Sequence, residues 1–169
     1  KIKSDFRSIE VNNLCFGYGG EVILNDCSFS AERGHITAIT GESGSGKSTL
    51  FKLMLGLYEP QSGSITVNGN IPLDASLRGL FAYVPQGNMV LSGTVRDNIT
   101  MCDPAITDEQ IEKAARAAEI YDYIVSLPEG FETRLAERGA GLSEGQIQRI
   151  SIARALLTDT PVILLDEAT

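Results

Sequence analysis

Residues 41–48 read GESGSGKS, and no other stretch restricts the fold of this chain so sharply. The pattern G-x-x-x-x-G-K-[ST] is met by Gly41, Gly46, Lys47 and Ser48. Upstream, "HITAIT" predicts a strand that runs into the loop. Downstream, "TLFKLMLGL" places Leu50, Leu53, Met54 and Leu57 at helical spacing, and "EPQSG" predicts the stop. Strand, glycine-rich loop and helix in that order let the backbone N–H groups from Gly41 through Glu42, Ser43, Gly44, Ser45 and Gly46 turn inward around an anion. The helix then aims the positive end of its dipole at the same point. Lys47 reaches the β- and γ-phosphates, the Ser48 hydroxyl can ligate Mg²⁺, and Thr49 continues the loop into the helix. By accident the pattern arises in roughly one chain in a hundred of this size. The alternative, a flexible Gly/Ser turn, does not account for the flanking periodicity, and a nucleoside triphosphate site is the reading favoured.

A phosphate loop needs a second metal ligand, and "VILLDE" near the C-terminus supplies one. Val162 to Leu165 are four apolar residues without alternation, which predicts a strand buried on both faces, as in a parallel sheet covered by helices. Asp166 stands at the strand's end to hold Mg²⁺, directly or through water. Glu167 is the candidate to orient and deprotonate an attacking water. Successive strand residues point to opposite sides, so the two carboxylates need not share a role.

The remaining periodicities complete an α/β chain. "SIEVNNLCFGY" and "VILNDCSF", separated by Gly19–Gly20, read as neighbouring antiparallel strands, and "SITVNG" and "LFAYVPQ" as further strands, the last closed by Pro85. Residues from about 91 to 139 change character: "TDEQIEKAARAAEIYDYI" sets Ile111, Ala114, Ala115 and Ala118 on one helical face, with Thr107 and Gln110 as a capping box. A second helix, about 143–157, starts at Ser143, with Gln146 completing its capping box and Gly145 leaving room for close approach. The exposed N–H groups of that tip can grip an anion. The expected architecture is a single domain over 1–169: a phosphate-loop core with a parallel sheet, an N-terminal antiparallel β subdomain and a helical insert at about 91–140.

With 169 residues and a formal charge of −8, the chain can bury a core yet repels a phosphate backbone at long range, so no nucleic-acid partner is expected. No run approaches the roughly 18–20 apolar residues of a membrane-spanning helix. Cys15, Cys27 and Cys102 are too scattered for a disulfide frame or a zinc site and read as packing residues. His35, alone of its type, sits at a strand entrance and reads as a surface residue.

The phosphate loop, then "LSEGQ" (Leu142–Gln146) about a hundred residues later, then "ILLDE" about twenty beyond, together resemble the ATP-binding cassette (ABC) ATPases. The resemblance covers about Ile9 to Thr169. It implies that Tyr18 stacks on adenine, and that Gln86 in "YVPQ" approaches Mg²⁺ and the attacking water and senses a membrane partner. It further implies that Ser143, Gly145 and Gln146 hold the γ-phosphate of a nucleotide seated on the loop of a second cassette, identical or not, so that two chains close head to tail around two ATP molecules. Glu144 departs from the family's usual Gly; as the first helical residue it is expected to face solvent. "LSGTVRDNI" and "LPEGFETRLAERGAGLSEGQ" resemble the exporter-type subset, which implies a transmembrane domain in the same or a partner chain and a place on the cytoplasmic face of a membrane, a prokaryotic cell membrane. A soluble ABC ATPase, or an ATP-dependent dimerisation module without a membrane partner, is the competing reading. In the family, a loop contacting the partner, another core strand and a switch histidine follow the "DEAT" at which this chain stops. The domain is therefore expected to be C-terminally incomplete and impaired in hydrolysis.

Overall fold

A two-residue Gly19–Gly20 turn, both residues at positive φ (56° and 94°), folds β1 (Ser8–Tyr18) back on β2 (Glu21–Glu32), as the right-handed strand twist favours. The computed structural model describes residues 2–87, 90–135 and 141–166. They divide into two compact units, Lys1–Phe81 with Thr160–Leu164, and Ala82–Asp159 with Leu165–Thr169, taken separately below.

In the first unit β1 and β2 join β3 (Ser62–Val67) and β4 (Ile71–Pro72) in an antiparallel sheet of order β2-β1-β3-β4. The β3–β4 turn is Asn68–Gly69, again with both φ positive. Strand β1 buries Ile9, Val11, Leu14 and Phe16. Val11 and Leu14 are three apart, out of step with a period of two. Asn13, at φ 46°, is the extra residue of a bulge that restores the phase. Gly63 lies against that bulge, where a Cβ would come within 2.3 Å of the Asn13 carbonyl oxygen.

Helix α1 (Lys47–Met54) buries Leu50, Leu53 and Met54 as expected. It ends sooner than "EPQSG" suggests: Gly56 N–H donates to the Leu53 carbonyl at 2.9 Å and Leu57 N–H to that of Lys52 at 2.9 Å, with Gly56 at φ 62°. That pairing is a Schellman motif, and it places Leu57 outside the helix, half exposed.

The predicted strand at 35–40 is absent. These residues are irregular, and Ile36 is 100 % exposed. An extended run becomes a strand only when a neighbour completes its ladder, and no described strand pairs with it.

The second unit holds the other α-helices. A 3₁₀ turn of the first unit, Ala75–Leu80, leads into β5 (Phe81–Val84). A short β6–β7 pair (Gly93–Thr94, Arg134–Leu135) brackets α2 (Val95–Thr100), α3 (Asp108–Ala117) and α4 (Tyr121–Ser126), and α5 (Glu144–Leu157) follows. Thr107 and Gln110 form the predicted box on α3, and Ile111, Ala114, Ala115 and Ala118 are buried with Val95, Ile99, Ile147 and Ile150 in one cluster. Strand β8 (Val162–Leu165) and β5 make a separate parallel pair. The expectation that β8 is buried on both faces is corrected: Leu164 is 5 % exposed, but Ile163 and Leu165 are 36 % and 41 % exposed. Alternate residues serve opposite faces, and among the described residues only one face of β8 is covered.

Candidate functional site

Gly46 joins the loop to α1 and meets two separate demands. Its φ is 90°, a conformation with a steric cost for any residue bearing a Cβ. A Cβ there would also lie 2.8 Å from Ile23 Cγ2 and 2.9 Å from Leu24 Cδ2, so the loop is seated directly on β2. At the other end of the loop, a Cβ on Gly41 would lie 2.5 Å from Ser45 Oγ, and Ser45 N–H donates to the Glu42 carbonyl at 3.1 Å. Gly44, at φ 83°, makes the intervening turn. Residues 41–45, Glu42 and Ser43 included, are exposed; Lys47 and Ser48 are half-buried and Thr49 is buried.

No side chain caps α1, so its first-turn N–H groups, which have no intrahelical acceptor, are directed at whatever sits in the loop. Lys47 Nζ donates to the carbonyls of Gly41 and Glu42, each at 2.8 Å. The ammonium is thereby drawn back over the loop rather than out to solvent. Uncapped amides, a helix dipole and a tethered cation make a cradle for a polyanion. Among the described residues no group of three or more His, Cys, Asp or Glu side chains could hold a metal ion.

We expect Gly46→Ala to lower the unfolding free energy by about 1–3 kcal/mol and to abolish nucleotide binding, because strain and the contact with β2 both act on the loop. Thermal melting and calorimetry on the variant check this, and a variant with unchanged melting and affinity would contradict the seating of the loop.

Tyr18, at the end of β1, packs edge-on against Phe16 (centroids 4.9 Å) and Tyr58 (5.6 Å) and is 40 % exposed. Phe16 is paired in register with Leu24, the residue against Gly46, so the same stretch of β2 supports both the aromatic group and the loop. Tyr58 escaped the sequence reading. Its signal was faint, an aromatic residue just past a helix end.

In the second unit Asp166 directly follows β8 and is 3 % exposed. Its N–H donates to the Val84 carbonyl at 2.9 Å, and Oδ2 accepts the Tyr83 hydroxyl at 3.0 Å. Burial, then that hydrogen bond and the Asp166 charge, push the Tyr83 phenol up to about 12. At neutral pH it is a fixed donor that orients the carboxylate. Tyr83 was also missed, since an apolar strand gives no sign of a partner 83 residues away. Gln86 lies two residues past Val84 and is exposed; the structure brings it and Asp166 to the carboxyl end of the same strand pair, where α/β sheets bind ligands. Glu167 and the "ERG" of 137–139 lie outside the described residues.

Ser143 caps α5 as predicted: its Oγ accepts the Gln146 N–H at 3.2 Å and Gln146 Oε1 accepts the Ser143 N–H at 2.8 Å. Ser143, Glu144 and Gly145 are exposed, and a Cβ on Gly145 would meet nothing within 4 Å. Internal packing therefore leaves position 145 free to be larger, and the glycine suits an approach from outside. Glu144 faces solvent in the first turn, where the dipole favours its charge. Helix α5 has 14 residues, about 21 Å, and its far end leads to β8.

Comparison with known proteins agrees with this geometry. The family model described as "ABC transporter" matches residues 24–169. A protein of Haemophilus influenzae named "Probable ABC transporter ATP-binding/permease protein" is 47 % identical, over 98 % of this chain and 30 % of its own length. The ATP-dependent lipid A-core flippase of Desulfotalea psychrophila is 46 % identical, over 96 % of this chain and 29 % of its own. Among solved structures, a bacterial Atm1-family ABC exporter with ATP bound superposes with a TM-score of 0.87 at 36 % identity, covering 98 % of this chain and 30 % of that one. The chain thus spans under a third of the length of these relatives. On the match over residues 24–169 and the loop, strand ends and capped helix described above, the chain belongs to the ABC transporter family.

Proposed function

We propose that this chain binds Mg·ATP on residues 41–49, with Tyr18 against the adenine, and takes part in its hydrolysis to drive export across a membrane. The observation that carries the reading is the loop itself: an uncapped helix N-terminus, two positive-φ glycines and a lysine ammonium held at its carbonyls. Phosphate oxygens would replace those carbonyls as partners of Lys47, at little cost in side-chain ordering.

Ser48, Gln86 and Asp166 are the oxygen donors proposed for Mg²⁺. When bound, the ion would neutralise charge on the β- and γ-phosphate oxygens. Glu167 takes the proton of a water aligned with the γ-phosphorus, and Gln86 orients that water. The tip at Ser143, Gly145 and Gln146 donates its amides to the γ-phosphate bound by a second cassette, identical or homologous, so that nucleotide closes the pair.

The relatives' names, ATP-binding/permease protein and flippase, support a transmembrane domain in the same or a partner chain, and a location at the cytoplasmic face of a membrane. No helix among the described residues is long and apolar enough to cross one. Isothermal calorimetry of the chain with Mg·ATP tests the reading: saturable heat at one site per chain is expected, and its absence at millimolar nucleotide would overturn it.

A further inference from the structure

Asn98 is the least exposed of the buried polar side chains among the described residues, at 1 %, and nothing in the proposed chemistry uses it. Its Oδ1 accepts the Leu91 N–H at 2.8 Å, while Nδ2 donates to the carbonyls of Leu91 and Thr94, both at 2.9 Å. Both amide hydrogens are used, and the donor–acceptor pattern of Leu91 fixes which way the amide faces. An apolar side chain could fill the same volume. The amide instead fastens the backbone of residues 91–94 to helix α2.

The main-chain carbonyl of Asn98 lies in the last turn of α2, where carbonyls lack intrahelical donors. It accepts Arg154 Nε at 2.7 Å, a cation placed where the helix dipole favours one. Arg154 is on α5, which packs against α2 and α3. From Arg154 to Ser143 the helix is eleven residues, about 16 Å of hydrogen-bonded rod. A continuous path of bonds therefore joins Leu91, five residues after Gln86 in sequence, to the anion-gripping tip of α5.

We propose that Asn98 and Arg154 are positioning residues that keep the 91–94 segment in register with α5, so that displacement on the Gln86 side is delivered to the tip at Ser143–Gln146. What the tip holds rests on the proposed function; the mechanical link does not.

The test uses the intact transporter that carries this chain, as wild type, Asn98→Asp, Arg154→Gln and Arg154→Lys, with Ile111→Ala as a control for general loss of stability. Asn98→Asp keeps the acceptor for Leu91 and loses both donors, whereas Arg154→Lys keeps a cation able to reach the Asn98 carbonyl. Amide hydrogen exchange is read over 91–97 and over 143–148, alongside kcat and KM for ATP. Asn98→Asp and Arg154→Gln should each raise exchange in both segments by about tenfold, lower kcat about tenfold and leave KM within about twofold. Lysine at 154 should restore much of both, and Ile111→Ala should not reproduce the pattern. Faster exchange only beside the substituted residue, the same response from Ile111→Ala, or lysine behaving as glutamine would each overturn the proposal. A wild type that binds no Mg·ATP would instead overturn the functional reading, leaving the exchange data to decide the link by themselves.

Discussion

Lys47→Ala should weaken Mg·ATP binding by about 30- to 150-fold, the equivalent of roughly 2–3 kcal/mol for charge-assisted bonds to phosphate. The structure sharpens this expectation in two ways. The ammonium already sits at the loop, held by the Gly41 and Glu42 carbonyls at 2.8 Å, so bound phosphate meets a cation that has been largely ordered in advance. Those carbonyls belong to exposed residues and are solvated when lysine is removed, so the variant should melt within a few degrees of wild type. Lys47→Arg is not a conservative replacement here, because a planar fork does not occupy the place of a point charge inside a turn. Calorimetry with Mg·ATP measures the loss, and melting shows that the loss belongs to the site. An alanine variant of unchanged affinity would mean that the loop is not where the triphosphate is held.

Glu167→Gln should separate binding from chemistry. Removing a general base typically costs about 10²- to 10⁴-fold in turnover, and glutamine retains the size and a hydrogen-bonding head without the ability to accept the water's proton. In the intact transporter we expect kcat for phosphate release to fall by that factor while nucleotide affinity changes by less than about threefold. The neighbouring Asp166 is buried, hydrogen-bonded by the Tyr83 hydroxyl and pinned through its N–H to Val84. Normal turnover in the glutamine variant would remove Glu167 from the mechanism and require another base.

Much of the candidate site was legible before any coordinates, for a reason common to its parts. The phosphate loop, the boxes Thr107–Gln110 and Ser143–Gln146, and the glycine turn at 19–20 are all made within about eight consecutive residues. Their geometry follows from allowed backbone angles, orphan amides at helix ends and hydrogen bonds three residues apart. Glycines at 44 and 46 take the positive φ that only a local pattern needs to demand.

What the sequence could not disclose depends on partners distant along the chain. Residues 35–40 have the composition of a strand, but strand character belongs to a pair, and no described neighbour completes the ladder. The Val162–Leu165 run reads as doubly buried until its neighbours show that one face is uncovered. The Tyr83–Asp166 bond and the Arg154–Asn98 bond join residues 83 and 56 positions apart, and no periodicity in either segment carries news of the other. The shape of the glycine loop and the helix caps can thus be read from local sequence, because short-range sterics and dipoles decide both. Strand pairing, the burial and orientation of Asp166, and the buried amide that ties one segment to another emerge only in the folded chain, because folding alone sets the register between distant hydrogen-bonding groups.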